Sequence, residues 1–455
     1  MGFGERGWGD FEGVEGKSVI KEIWHDNKLT DWRIVPLKRF GLLKGGAGFP
    51  IAAQGLSGLE FPFYKVKDLQ ENDFFLSKTE HYISHETALK LGAFIFPKNT
   101  LVFAKVGEAV KLNRYKLLSM SSCIDNNMMG YVIDHNVLSS KYLYYLVNQT
   151  FDISYIANPG PVPSVGSRQM GYLEISVPTV KKQRKIAAYL DKTCATIDKV
   201  IEAKQKQLEI LDDLRKSIIH KAVTRGLDDS VELKDSGVEW IGKMPQHWVI
   251  EKLKRLLSQP LMYGTNEAAE LDDPEYPRYI RITDFGDSGT LKPEAFKSLP
   301  PDKAIGYYLE EGDLLFARSG ATVGKTFLFS GYKGLACFAG YLIRARTNKI
   351  KLVPKYLYYF SKSHAYFAWK NVIFTQATIQ NISATKYDYL PVTVPSVREQ
   401  QLIVQYLDIK MKALDNMQSN LSEQISTLKQ YRKSLIHECV TGKRRITENN
   451  ARNKS

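Results

Sequence analysis

Cysteine is scarce in this 455-residue chain: Cys123, Cys194, Cys337 and Cys439 stand far apart. Such spacing excludes a CxxC zinc site and a disulfide framework, so four buried free thiols are expected. Long apolar runs are missing as well. No stretch reaches the roughly 18 apolar residues of a membrane-spanning helix. The N-terminus lacks the basic-then-apolar order of a signal peptide, and MGFGER puts Arg6 where a myristoylation motif takes Ser or Thr. A cytoplasmic protein is expected. Acidic residues are in deficit: 63 Lys and Arg against 49 Asp and Glu leave a net charge of +14. A surplus of that size suits a polyanionic partner, since each phosphate neutralised releases condensed counterions.

Catalytic signatures are also missing. There is no Asn-Pro-Pro-aromatic or Asp-Pro-Pro-Tyr amino-methyltransferase motif and no GxGxxG. Ser319–Thr326, SGATVGKT, approaches a phosphate-binding loop, but Ser319 stands where the first glycine belongs and Gly320 leaves one residue too few. Glu202 with Lys204 and Glu232 with Lys234 have the minimal spacing of a nuclease carboxylate–lysine pair, without the metal-binding cluster it requires. His81 and His85 lack a third ligand and read as a solvated helical turn. No catalytic residue, metal or cofactor is expected in this chain.

What is present is a sequence written twice. Trp24 and Trp32 recur as Trp240 and Trp248 at an offset of 216. Leu37-Lys38-Arg39 matches Leu253-Lys254-Arg255, Gly48 matches Gly264, and Tyr64–Leu69 matches Ile280–Phe285. Phe103–Gly107 matches Phe316–Gly320, and KYLYY occurs at both Lys141 and Lys355. LRKSIIHKAVT (214–224) and YRKSLIHECVT (431–441) share seven of eleven residues. Within each copy, short β-branched and aromatic runs bounded by Gly, Pro, Asn and Asp predict strands, and KYLYY predicts a short helix. Each copy closes with a long helix that starts just after Pro178 or Pro395 and ends at Gly226 or Gly442. In the second, Ser396 and Glu399 have capping-box spacing.

The closing helices carry alternating four- and three-residue apolar steps. One seam includes Leu190, Ile197, Leu208, Leu211 and Ile218; the other includes Leu407, Leu414, Leu421, Leu428 and Leu435. Helices of about 68 Å are too long for a 140-residue domain to cover, so they are expected to pair with each other. If the copies are related by a pseudo-two-fold axis, the helices run antiparallel.

These residues resemble the specificity subunit of type I restriction–modification enzymes. DSGVEWIGKMPQHW (235–248), GDLLFARSGATVGKT (312–326) and VPSVREQQLIVQYLD (394–408) carry the likeness. EIWHDNKLTDW (22–32), NTLVFAKVGEAVKL (99–112) and VPTVKKQRKIAAYLD (177–191) are their first-copy counterparts. The resemblance implies an α+β chain with two tandem target-recognition domains, each reading half of a split, asymmetric site on double-stranded DNA. Two long helices form an antiparallel coiled coil that sets the distance between the halves. Two modification (methyltransferase) subunits and restriction/translocase subunits are the implied partners, and S-adenosylmethionine, ATP and Mg belong to them. The implied division is an N-terminal lead (1–23), domain one (24–177), helix one (178–227), a linker leading into the second repeat (228–247), domain two (248–394), helix two (395–443) and a polar tail (444–455).

Basic residues at matched places are the candidate DNA contacts: Lys65 with Arg281, and Lys105 with Arg318. Lys67, Lys111, Asn113 and Arg114 in the first copy, and Thr283, Ser319, Thr322 and Lys325 in the second, would complete the surfaces. Arg can fork onto a guanine edge, and Lys can meet phosphate or guanine. Two rivals stand beside this reading. One is a self-sufficient methyltransferase–nuclease, which the missing motifs oppose. The other is a coiled-coil scaffold with two domains for ligands other than DNA.

Overall fold

A computed structural model describes residues 31–70, 74–158, 160–286, 291–375 and 381–446. Trp24, the expected N-terminal lead and the tail from residue 447 lie outside the described residues. The chain forms two compact units, Met1–Ala203 with Gln424–Ser455, and Lys204–Glu423. The division falls inside the two long helices rather than at their ends.

The first unit runs β1 (Arg33–Pro36), β2 (Gly41–Gly45), β3 (Phe61–Tyr64), β4 (Phe75–Leu76), β5 (Tyr82–Ile83), α1 (His85–Lys90), β6 (Leu101–Ala104), β7 (Tyr115–Leu118), β8 (Cys123–Ile124), β9 (Met128–Ile133), α2 (Ser140–Thr150), α3 (Ser167–Gly171) and β10 (Glu174–Val177) into α4 (Val180–Arg225). Its main sheet has the order β2-β9-β6-β7-β4. The central strand, LVFA, is buried at every position, because it is covered on both faces of the sheet. A second sheet, β5-β3-β8, pairs β3 with β8 in parallel, and β1 pairs with β10.

The second unit continues with β11 (Leu233–Asp235), β12 (Lys243–Pro245), β13 (Val249–Lys252), β14 (Met262–Tyr263), β15 (Arg278–Ile280), α5 (Pro301–Ala304), β16 (Leu314–Ala317), β17 (Thr326–Leu328), β18 (Ala336–Phe338), β19 (Leu342–Ala345), α6 (Pro354–Phe360), α7 (His364–Thr375), α8 (Ala384–Tyr387), β20 (Pro391–Val394) and α9 (Val397–Val440). Its sheet β14-β19-β16-β17, the parallel pair β15–β18 and the pair β13–β20 repeat the first plan. Along β16 the core splits by the two-residue strand period. Leu314 and Phe316 face α6 and the long helices, while Leu315 and Ala317 join a separate cluster with Phe285 and Phe327.

Each unit holds a stretch of α4 against a stretch of α9. In the first, Arg432 pairs with Asp198 at 3.1 Å, and the Cys194 and Cys439 thiols lie close enough to interact. In the second, Arg215 pairs with Asp415, and Gly226, just past α4, lies beside Glu399 in the first turn of α9. Within each unit the partner's number falls as the other rises, so the helices run antiparallel. The seam residues Leu190, Ile197, Leu407, Leu414 and Leu435 are buried. Leu208, Leu211, Ile218, Leu421 and Leu428 are half-buried, and Gln418 is exposed.

The repeat extends to side-chain detail. Gln183 accepts from Ser139 N and donates to Pro178 O, as Gln400 accepts from Val353 N and donates to Pro395 O. Lys141 and Tyr145 bind Asp191, as Lys355 and Tyr359 bind Asp408. One match is corrected. Gly264 corresponds to Gly46, not Gly48: Gly46 N donates to Met128 O and Ala47 N to Ile124 O, as Gly264 N donates to Leu342 O and Thr265 N to Phe338 O. Two extra residues before β14 in the second copy, balanced by two extra before β3 in the first, leave the flanking matches in one register and hide the shift between them. The capping box is also only half formed. Glu399 N donates to Ser396 Oγ, but the Glu399 carboxylate accepts from buried Trp248 Nε1 at 2.9 Å and contacts His247.

Candidate nucleic-acid interface

Both units present one hairpin, β6–β7 and β16–β17, whose loop carries a basic residue at each foot. Lys105 follows β6 and Arg318 follows β16. At the other foot, Phe103 pairs with Tyr115 and Phe316 with Thr326, which makes Arg114 the counterpart of Lys325. Each follows a residue of positive φ, Asn113 at 51° and Gly324 at 79°. That left-handed turn brings the chain back into the sheet, and Asn and Gly are the residue types that adopt it readily.

The backbones at the first foot are held alike. Val165 N donates to Lys105 O at 2.8 Å, and Ile382 N to Arg318 O at 3.0 Å. Both basic side chains reach back over the end of β2 or β14, at equivalent positions. A Cβ built on Gly45 would lie 2.7 Å from Lys105 Nζ, and the Arg318 guanidinium lies 4.6 Å from the centre of the Tyr263 ring. Among the described residues, Lys105, Arg114, Arg318 and Lys325 have no carboxylate partner.

Most of the remaining candidate side chains are engaged within the protein. Lys65 Nζ donates to Gln54 at 3.0 Å, and Lys67 pairs with Glu80 at 2.6 Å, whose carboxylate holds the lysine pKa up. Lys111 pairs with Glu108. The Asn113 amide donates to Phe151 O and accepts from Ile153 N, which ties the loop to the following segment. Arg281 forks onto buried Asp284, which also takes Thr283 Oγ1. Asp284 further accepts from Arg281 N, just as Asp68 accepts from Lys65 N, so this matched turn is closed by its own aspartate. The Ser319 backbone forms an isolated β-bridge with Asn381, and Thr322 ends the single turn Gly320–Thr322. No helix follows Lys325; β17 does, so SGATVGKT is a hairpin loop and not a phosphate-binding strand–loop–helix.

The second unit gathers two further lysines near this loop. The Lys370 stem packs on Gly324, and half-buried Lys362 donates to Thr326 O at 2.8 Å. Burial, and then the charge of Lys325, push the Lys362 pKa down to about 8. Tyr263, Asn381, Lys362 and Lys370 were not among the sequence candidates. Asn113-Arg114 and Gly324-Lys325 share one legible signal, a left-handed-tolerant residue followed by a cation.

His81 is buried rather than on a solvated turn: it precedes β5, and its Nδ1 accepts from Gly55 N at 3.0 Å. Burial lowers its pKa. Among the described residues no group of His, Cys, Asp and Glu could hold a metal ion, and no helix is long and apolar enough to cross a membrane. All four cysteines are free and buried.

A family model described as the type I restriction modification DNA specificity domain matches residues 30–218 and 262–427. The chain is 20% identical over 424 residues to the type I restriction enzyme StySPI specificity subunit of Salmonella potsdam, covering 90% of this chain and 89% of that one. It is 22% identical over 439 residues to the putative type I restriction enzyme MjaX specificity subunit of Methanocaldococcus jannaschii, covering 94% and 95%. A structure from work on complex assembly and conformational transition of the type I R-M system superposes with a TM-score of 0.70 at 15% identity, over 90% of this chain and 97% of that one. The crystal structure of the HsdS subunit from Thermoanaerobacter tengcongensis does so with a TM-score of 0.53 at 16% identity, over 91% and 97%. These two likenesses concern the fold.

Proposed function

This chain belongs to the type I restriction–modification DNA specificity family and is its non-catalytic, DNA-reading subunit; we propose that each of its two units reads one half of a split, asymmetric site on double-stranded DNA. The observation that carries this reading is the matched hairpin. Lys105 with Arg114, and Arg318 with Lys325, place two uncompensated cations at the feet of the same loop in both units. Loops on a rigid sheet are where binding groups collect, and cations without carboxylate partners suit phosphate and base edges. The segments between the matched elements differ, as two different half-sites require.

In this reading two modification subunits and the restriction/translocase subunits assemble on the chain in the cytoplasm. S-adenosylmethionine, ATP and Mg act in those partners, and the length of the paired helices sets the spacer between the half-sites. The test replaces residues 248–394 with the corresponding segment of a relative, co-expresses the chimera with its modification partner and maps methylated adenines. One half-site should change and the other should persist. A change in both halves, or in neither, overturns the reading.

A further inference from the structure

We propose that the second unit reads a guanine, with Arg318 as the reading side chain and Tyr263 as its positioning platform. The inference rests on the reading of that unit as a DNA-reading module and adds which chemistry it recognises.

Three observations converge on this place. Arg318 lies over the Tyr263 ring at 4.6 Å from its centre, which orients the planar guanidinium. The ring itself is anchored, because Ala384 N donates to Tyr263 Oη at 2.8 Å. Arg318 Nε is buried without a hydrogen-bond partner. Buried polar atoms are normally satisfied, so this guanidinium keeps bonding capacity that the protein does not use. The Arg318 backbone is fixed as well: Ile382 N donates to Arg318 O, and Ser319 forms a backbone β-bridge with Asn381.

The first unit has the same backbone and different chemistry. Gly45 occupies the position of Tyr263, and Lys105 that of Arg318. Glycine supplies no ring to stack on, and an ammonium has no planar fork. The matched position in the first unit therefore offers a point charge, whereas in the second it offers a preset pair of donors of the kind that meets guanine O6 and N7. The two half-sites are asymmetric at this register for a physical reason.

The test uses the chain co-purified with its modification partner, assayed by adenine methylation on duplexes carrying every single-base variant of the half-site read by residues 248–394. For Arg318→Lys, discrimination at one G·C pair should fall by about tenfold or more, with the other positions and the first half-site unchanged. Tyr263→Ala should relax the same position, and Tyr263→Phe, which keeps the ring but loses its bond from Ala384 N, should relax it less. A second half-site without a G·C pair overturns the proposal, as does an Arg318→Lys loss that is uniform over all variants. Unchanged discrimination at the first half-site separates these outcomes from misfolding. If exchanging residues 248–394 left both half-sites unaltered, the underlying reading would fail instead.

Discussion

The Tyr142 hydroxyl donates to Val440 O at 3.0 Å, so a side chain of the first repeat closes the end of the helix that belongs to the second. Tyr356 does the reciprocal, donating to Val223 O at 3.2 Å. The environments differ in one respect. Val223 O also accepts from Thr393 Oγ1 at 2.5 Å, whereas the counterpart of Thr393 is Ser176. Tyr142→Phe should therefore cost more, about 1–2 kcal/mol, than Tyr356→Phe, about 0.5–1 kcal/mol. Urea unfolding of each variant measures this, and Thr393→Val added to Tyr356→Phe should erase the difference.

Glycine substitution checks the corrected register. A Cβ on Gly46 would sit 2.1 Å from Asp125 O, and one on Gly264 2.2 Å from Phe338 O, both backbone atoms that cannot step aside. Gly48 has nothing within 4 Å. Gly46→Ala and Gly264→Ala should each destabilise by roughly 1–3 kcal/mol or more, while Gly48→Ala should stay within about 0.5 kcal/mol. Equal midpoints for Gly46→Ala and Gly48→Ala in thermal melts would restore the sequence alignment.

Arg114 and Lys325 should act as charges rather than readers of bases. Replacing either with Ala should lower affinity evenly across site variants and shrink the salt slope of binding by about one unit. Titrations of cognate and variant duplexes at several salt concentrations give both numbers. A loss confined to one base pair would mean direct base contact.

Lys362 makes stability depend on pH. Its folded pKa, about 8, lies below the ordinary lysine value of 10.5. Between those values the unfolded chain holds the extra proton, so stability rises with pH across this window. The burden is complete below pH 8 and gone above 10.5. Lys362→Met should thus stabilise the chain at pH 7 by about 1–3 kcal/mol, less what the bond to Thr326 O contributes. That gain should shrink as pH climbs from 8 towards 10. A gain independent of pH would show that packing, not charge, is responsible.

The duplication, the strands around Phe103 and Phe316, the long helices and their seam were legible because local periodicity and identity record them. A buried strand must be apolar throughout, and a paired helix must repeat its apolar positions. The basic residues were legible as types, but not in their roles. Arg281 and Lys105 look alike in sequence. Asp284 meets only the first, because a tight turn folds that aspartate back onto it. The match of Arg114 to Lys325 needed strand pairing, since unequal loops broke the register on both sides. Tyr263 under Arg318, and Tyr142 against Val440, join residues distant in sequence. Their proximity follows from how sheets and helices close on each other, which no local pattern encodes. Composition and repetition thus settled the duplicated architecture, two mixed units each closed by a long helix. Tertiary closure decided which cations remain without a carboxylate partner, because only folding brings a carboxylate such as Asp284 or Glu80 against one basic side chain and not another.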